Sequence, residues 1–264
     1  MTPSRIVSIE WLVAHQHDAN VVVVDVRPRD YYDAGHIPGA RNVDIYPLKI
    51  LDSDPGAIDQ WTHTMQSAFR TLGIRNADHF VFYEDISGTS AARGVWLMEA
   101  LSIGHGSILD GGLAAWHAAE NPISDEPVAV TPSELTVTLK HELLATAPGI
   151  LDDLRDNDGS RIIDTRNQLE WIQGTIPTST HLDWAAHLDA DGRLRPLEEL
   201  RAMYENLELA HDDNIVTFCA SGYRAAHTWL VLSELGYGNV RNYAPSWGEW
   251  IRRSDVPIEL PAES

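Results

Sequence analysis

The sequence predicts an α/β fold made of two similar domains, each a mainly parallel sheet flanked by helices. Three observations predict it: landmarks recur in one register in both halves, short continuous apolar runs alternate with helical stretches, and a proline-rich acidic segment separates the halves. Residues 21–26 and 161–165 each read as a buried strand ending in Asp-x-Arg, namely Asp25-Val26-Arg27 and Asp164-Thr165-Arg166. Eleven residues beyond each aspartate comes x-Ile-Pro, in His36-Ile37-Pro38 and Thr175-Ile176-Pro177, which suits a tight turn after a helix. Residues 79–83 and 214–218 read as further strands. Each leads into a small-residue loop containing Ser-Gly, Ser87-Gly88 and Ser221-Gly222, and then into a helical stretch, 90–101 and 224–236. In that register Asp85 stands where Cys219 stands, and a tryptophan follows each 31 residues later, Trp116 and Trp250. Domains are therefore expected at 1–124 and 141–264, with 125–140 as linker.

Composition narrows the partners. The 264 residues carry 39 acidic against 19 basic side chains, a formal charge of -20, and a field of that sign repels nucleic acid and anionic lipid. Only Lys49 and Lys140 are lysines, so an anionic substrate has to meet local arginines, whose planar fork suits oxyanions. No apolar run approaches the roughly 20 residues of a membrane-spanning helix, and the start lacks the charged and apolar regions of a secretory leader. The single cysteine cannot form an internal disulfide. A cytoplasmic protein with no membrane association is expected. His15 and His17 flank Gln16, and His141-Glu142 lacks a second histidine four residues on, so neither a metal site nor a cofactor is expected. The nine tryptophans read mainly as packing, with Trp247 and Trp250 as candidates for one wall of a pocket.

The chemistry concentrates at Cys219. It follows the strand directly, at the carboxyl end where open α/β sheets place their sites, and Cys219-Ala220-Ser221-Gly222-Tyr223-Arg224 runs into the next helix. Unpaired amides and the positive end of the helix would hold an anion over such a loop, and Arg224 adds a full charge. Small residues at 220 and 222 let consecutive amides turn inward.

Three segments carry a resemblance: residues 32–40, reading Tyr32-Asp33-Ala34-Gly35-His36-Ile37-Pro38-Gly39-Ala40; the loop from Cys219 to Arg224, a C-x-x-G-x-R pattern; and residues 240–250, ending Ser246-Trp247-Gly248-Glu249-Trp250. With them the whole chain resembles the tandem rhodaneses, the thiosulfate and 3-mercaptopyruvate sulfurtransferase family. The resemblance implies a catalytically silent first domain with Asp85 at the cysteine position, and a second domain that moves a sulfane sulfur through a Cys219 persulfide. The donor is expected to be a small anion, thiosulfate, and the acceptor thiophilic, cyanide or a thiol. Cys219 and Arg224 are the expected catalytic pair, with Ala220, Ser221, Gly222, Tyr223 and Arg166 binding substrate. Asp25 and His36 match a proposed proton-relay pair of mercaptopyruvate enzymes, although a structural cap-and-turn role fits them equally. Arg166 with Asp164 reads equally as an ion pair at a strand end, since Asp25-x-Arg27 repeats the pattern.

Departures from the family pattern bear on the donor. Glu170 stands four residues after Arg166, where animal-type enzymes carry a substrate-binding arginine, whereas Ser221 matches the serine of mercaptopyruvate enzymes. Pro245, Thr175 and Thr178 also differ from the usual signatures. A 3-mercaptopyruvate sulfurtransferase and a non-enzymatic persulfide carrier are the alternatives. A phosphatase is disfavoured, because related domains hold phosphate over a loop one residue longer than this Cys-x4-Arg.

Overall fold

The computed structural model describes residues 4–156 and 159–261. They fall into two compact units, one drawn from Met1–Leu48, Asp59–Lys140 and Leu188–Leu194, the other from Lys49–Ile58, His141–His187 and Arg195–Ser264.

The first unit runs β1 (Ile6–Val7), α1 (Ile9–His15), β2 (Val21–Asp25), α2 (Arg29–Ala34) and β3 (Arg41–Asn42), then α3 (Pro55–Thr71), which enters it at Asp59. It continues through β4 (His79–Tyr83), α4 (Thr89–Ala100), β5 (His105–Leu109) and α5 (Gly112–Ala118). Its strands lie in the order β1-β5-β4-β2-β3, every pair parallel. Parallel pairing explains the Val21–Asp25 run: helices cover both faces, so alternation of apolar and polar residues is lost. Val23, Val81, Leu109 and Trp116 pack into one core. Residues 133–140 run along this unit without regular structure, with Ser133 N–H donating to Arg70 O, Lys140 N–H to Ala100 O, and Leu135 fully buried.

The second unit comprises α6 (Ala147–Arg155), β6 (Arg161–Asp164), α7 (Gln168–Ile172), β7 (Thr180–His181) and α8 (Leu197–Glu205), followed by β8 (Ile215–Phe218), α9 (Tyr223–Glu234), β9 (Val240–Asn242) and α10 (Ser246–Trp250). Its sheet is β7-β6-β8-β9, again parallel throughout. The predicted fold class is therefore borne out in both halves.

The repeated sequence landmarks are repeated ties. In the first unit Arg27 Nη2 donates to Asp25 Oδ2 at 2.6 Å and to Gly35 O at 2.7 Å; in the second, Arg166 Nη2 donates to Asp164 Oδ2 at 2.5 Å and to Gly174 O at 2.6 Å. Each arginine pins the end of a strand to the turn before x-Ile-Pro. That turn then bridges to the segment after the last helix, His36 to Ser124 and Thr175 to Glu259. Both closing tryptophans are wholly buried, and their indole N–H groups donate to Pro122 O and Pro257 O at 2.8 and 2.9 Å. Trp250 is thus a core residue, joined with Ile162, Val216 and Phe218, and not a pocket wall.

The second unit also buries a polar chain. Tyr204, His187 and His227 are all fully buried, with Tyr204 Oη 2.8 Å from His187 Nε2 and His187 Nδ1 3.3 Å from His227 Nδ1. Burial keeps the Tyr204 phenol protonated, so it donates, and the His187 proton then sits on Nδ1 and points at His227. Burial, with His227 as a like-charged neighbour, drives the His187 pKa well below the ordinary histidine value. A histidine depressed in the folded state contributes stability that is full above the unfolded value of about 6.5 and is lost as pH falls below it. Urea denaturation is expected to show lower stability at pH 5.5 than at pH 7.5, and His187→Gln should reduce that difference. An equal pH slope in wild type and variant would assign the acid sensitivity elsewhere.

Candidate active site

Cys219 is the first residue after β8 and is 1% exposed. Two backbone amides converge on its sulfur, Gly222 N–H at 3.1 Å and Ser221 N–H at 3.4 Å. The turn that aims them depends on Gly222, whose φ of 84° is left-handed and which caps the twelve-residue α9. A Cβ there would lie 2.3 Å from Ala244 O, so only glycine fits. The loop carbonyls are drawn the other way: Trp247 N–H donates to Cys219 O at 2.9 Å and Gly248 N–H to Ala220 O at 3.0 Å. The carbonyls of Cys219 and Ala220 are tied to the start of α10, and the amides of Ser221 and Gly222 are turned toward the sulfur.

Ser246 locks this arrangement. Its hydroxyl accepts from Cys219 N–H at 3.1 Å and donates to Tyr243 O at 2.6 Å, which commits its one proton and leaves it beside the sulfur at 4.0 Å. Its φ of 57° is a strained left-handed backbone for a serine, held by those bonds. The sequence reading missed the roles of Ser246 and Gly248; their signal was the Ser-Trp-Gly run, whose meaning depends on α10 folding back onto the loop.

Ala220, Ser221 and Arg224 form the partly exposed face of the loop, and Tyr223 is buried as the first residue of α9. The guanidinium fork of Arg224 is occupied by a carboxylate. Its Nη1 and Nη2 donate to Glu170 Oε2 and Oε1 at 2.5 and 2.8 Å, a two-pronged pair with side chains 21% and 31% exposed. The bonds to Glu170 outweigh burial and raise the Arg224 pKa further above its ordinary value, with the charge of Cys219 adding to the effect. The same bonds hold the Glu170 carboxyl below its usual range, so the pair stays ionised at neutral pH. Asn167 caps α7 by accepting from Glu170 N–H at 2.9 Å, which fixes the backbone that presents the carboxylate.

The other expected site residues are placed differently. Arg166 is 2% exposed, spent on Asp164 and Gly174 O, with its guanidinium carbon 4.5 Å from the Trp247 ring centroid. Asp25 is engaged by Arg27. His36 is fully buried, stacked on Tyr32 at 3.7 Å, with Nδ1 on Tyr32 O and Nε2 on Glu126 O. All three side chains have structural partners within their own units.

The matching loop of the first unit is built to another end. Counting back from the cap of α4 places Asp85 opposite Cys219, whereas counting forward from the strand places Glu84 there, since Tyr83 pairs with Asp25 as Phe218 pairs with Asp164. One extra residue accounts for the difference. The carboxylate at the head of α4 is that of Glu84, accepting from Ser90 N–H at 2.6 Å and Ala91 N–H at 3.0 Å. Asp85 points outward, 66% exposed, with Arg27 Nη1 at 3.3 Å. A cavity of about 550 Å³ opens beside it, lined by Arg27, Tyr31, Gly35, Asp85, His117 and Ile123, and contains no nucleophilic thiol. The amides matching those of Ser221 and Gly222, on Ser87 and Gly88, donate to Gly192 O and Ile86 O at 2.9 and 2.8 Å, while the Glu84 carboxylate takes two amides further along α4.

Comparison with known proteins agrees with this geometry. The rhodanese-like domain model matches twice, over residues 8–119 and 147–253. A thiosulfate sulfurtransferase of Azotobacter vinelandii is 32% identical over 248 residues, covering 91% of each chain. A 3-mercaptopyruvate sulfurtransferase of Escherichia coli K12 is 27% identical over 281 residues, 98% of this chain and 99% of that one. Among solved structures, SseA from Escherichia coli, described as a rhodanese-fold 3-mercaptopyruvate sulfotransferase, superposes with a TM-score of 0.80 at 26% identity over 93% of this chain and 99% of that one. Two parallel α/β units, a loop of inward amides and a family match in each half lead to one conclusion: the chain belongs to the rhodanese family, with a rhodanese-like domain in each half.

Proposed function

We propose that this protein is a sulfurtransferase that takes a sulfane sulfur from thiosulfate, holds it as a persulfide on Cys219, and passes it to a thiophilic acceptor such as cyanide or a thiol. The observation that carries this reading is the pair of amides from Ser221 and Gly222 on the Cys219 sulfur, at the head of α9 and with the carbonyls of Cys219 and Ala220 tied away. Amide donors aimed at the sulfur are placed to hold the charge of a persulfide once it has formed. The Cys219 thiolate attacks the outer sulfur of thiosulfate, a new S–S bond forms, and the old one breaks with its electron pair leaving on sulfite. The charge balances, because a thiolate and a thiosulfate dianion become a persulfide anion and a sulfite dianion. The acceptor then attacks the outer persulfide sulfur and restores the thiolate, the two-step logic of covalent catalysis. Asp25, His36 and Arg166 take no part; their partners make them supports of the fold.

Two features favour thiosulfate over 3-mercaptopyruvate. The sulfonate is bonded directly to the sulfur being transferred, so it arrives beside Arg224 in the same loop, whereas the mercaptopyruvate carboxylate lies beyond a methylene and a carbonyl. That distant carboxylate needs a cation of its own, and Arg166 is already committed to Asp164 and Gly174. The experiment is twofold. After thiosulfate treatment the Cys219 peptide should gain one sulfur by mass with release of sulfite, and with cyanide as common acceptor kcat/KM should be higher for thiosulfate. A higher kcat/KM for 3-mercaptopyruvate would reverse the donor assignment; an unmodified peptide, under conditions that preserve persulfides, would end the reading altogether. Persulfide formation without turnover would identify a carrier.

A further inference from the structure

The Arg224 fork is occupied in the folded protein, and by a residue 54 positions away in the chain. We propose that Glu170 is a specificity-determining residue, a built-in carboxylate that competes with the donor anion for Arg224 and opens only to a compact oxyanion able to replace both of its hydrogen bonds. This rests on the reading of Cys219 as the sulfur carrier and adds to it a residue that selects what may approach.

The argument is geometric. Glu170 engages both terminal nitrogens of Arg224, and the two side chains remain a fifth to a third exposed, so an incoming ligand can reach the pair from solvent. Neither is locked from behind like the second pair nearby, Arg166 with Asp164, whose side chains are 2% and 0% exposed. The contrast separates two uses of one pairing: the buried one holds the strand end, and the accessible one guards the loop. A carboxylate and a sulfonate can each present an edge of two oxygens to a guanidinium, so a sulfonate can take over both hydrogen bonds from Arg224. The apparent donor affinity is then reduced by the fraction of molecules whose fork is closed. A neutral sulfane donor has no use for Arg224 and is indifferent to the latch. A donor whose anionic group lies far from its sulfur cannot open it while placing that sulfur on Cys219.

The test is a kinetic comparison of wild type, Glu170→Gln and Glu170→Gln/Arg224→Ala with thiosulfate and with an uncharged dialkyl trisulfide, cyanide being the acceptor throughout. Glutamine keeps the shape and removes the charge. The KM for thiosulfate is expected to fall about tenfold in Glu170→Gln, by more than kcat changes in either direction, and sulfite should become a correspondingly stronger inhibitor. The KM for the neutral donor should stay put, and the thiosulfate effect should vanish when Arg224 is also replaced. An unchanged or raised thiosulfate KM, or an equal fall for both donors, would overturn the proposal while leaving the Cys219 persulfide intact. Absence of a persulfide in the wild type would instead defeat the underlying reading. Should Glu170→Gln fold poorly, Glu170→Asp, one methylene too short for both bonds, is expected to shift the KM in the same direction by less; a rise would count against the latch.

Discussion

Cys219→Ser is expected to lower sulfur transfer by about three orders of magnitude or more, while leaving the unfolding midpoint close to that of the wild type. The substitution exchanges sulfur for oxygen in a wholly buried site, so volume and hydrogen-bonding pattern are nearly kept. The amides of Ser221 and Gly222 can still donate to the oxygen, and the turn at Gly222 is untouched. What is lost is the nucleophile: a hydroxyl at neutral pH carries almost no anion and cannot store a sulfane sulfur. The chain has no second cysteine to take over. Sulfite release in the presence of cyanide, followed alongside circular dichroism, checks both halves of the expectation. Turnover near that of the wild type would remove Cys219 from the mechanism.

Asp164→Ala is expected to destabilise the second unit by about 3–5 kcal/mol, the typical effect of stripping one partner from a buried ion pair. Asp164 is fully buried and accepts from Arg166 N–H at 3.0 Å, from its Nε and Nη2 at 2.9 and 2.5 Å, and from the Thr175 hydroxyl at 2.9 Å. Alanine removes all of these at once and leaves a buried guanidinium with Gly174 O as its remaining hydrogen-bond acceptor among the described contacts. The strand end and the turn before Ile176 lose their common anchor, and β8 with its cysteine loop pairs with that same strand. Urea denaturation compared with the Cys219→Ser protein measures the difference. A loss under about 1 kcal/mol would show that water or a neighbouring group replaces the carboxylate.

Much of this architecture was legible along the chain. The strand His79–Tyr83 and the helices Thr89–Ala100 and Tyr223–Glu234 lie within a residue or two of the segments read from the sequence. Their signals are local: continuous apolar runs for strands buried on both faces, Ser-Gly ahead of a helix, and Asp-x-Arg at a strand end. The position of Cys219 at the mouth of a helix followed from the same local pattern. The match between Asp85 and Cys219 was less secure, because a loop one residue longer can be aligned from either end, and only the backbone shows which carboxylate reaches the helix amides.

The sequence by itself determined that there are two α/β repeats, that the thiol ends a parallel strand of the second, and that its loop is small enough to turn amides inward. Such properties depend on residues adjacent in the chain or spaced by the period of a helix or strand. Tertiary structure alone decided that Arg224 meets Glu170, that Arg166 is spent on Asp164 and Gly174, that Glu84 reaches the first amides of α4, and that α10 draws the loop carbonyls of Cys219 and Ala220 away from the sulfur. A hydrogen bond is won by whichever acceptor the fold delivers within about 3 Å at the right angle. Distance in space, set by how α7, α9 and α10 are carried on the sheet, has no counterpart in spacing along the sequence.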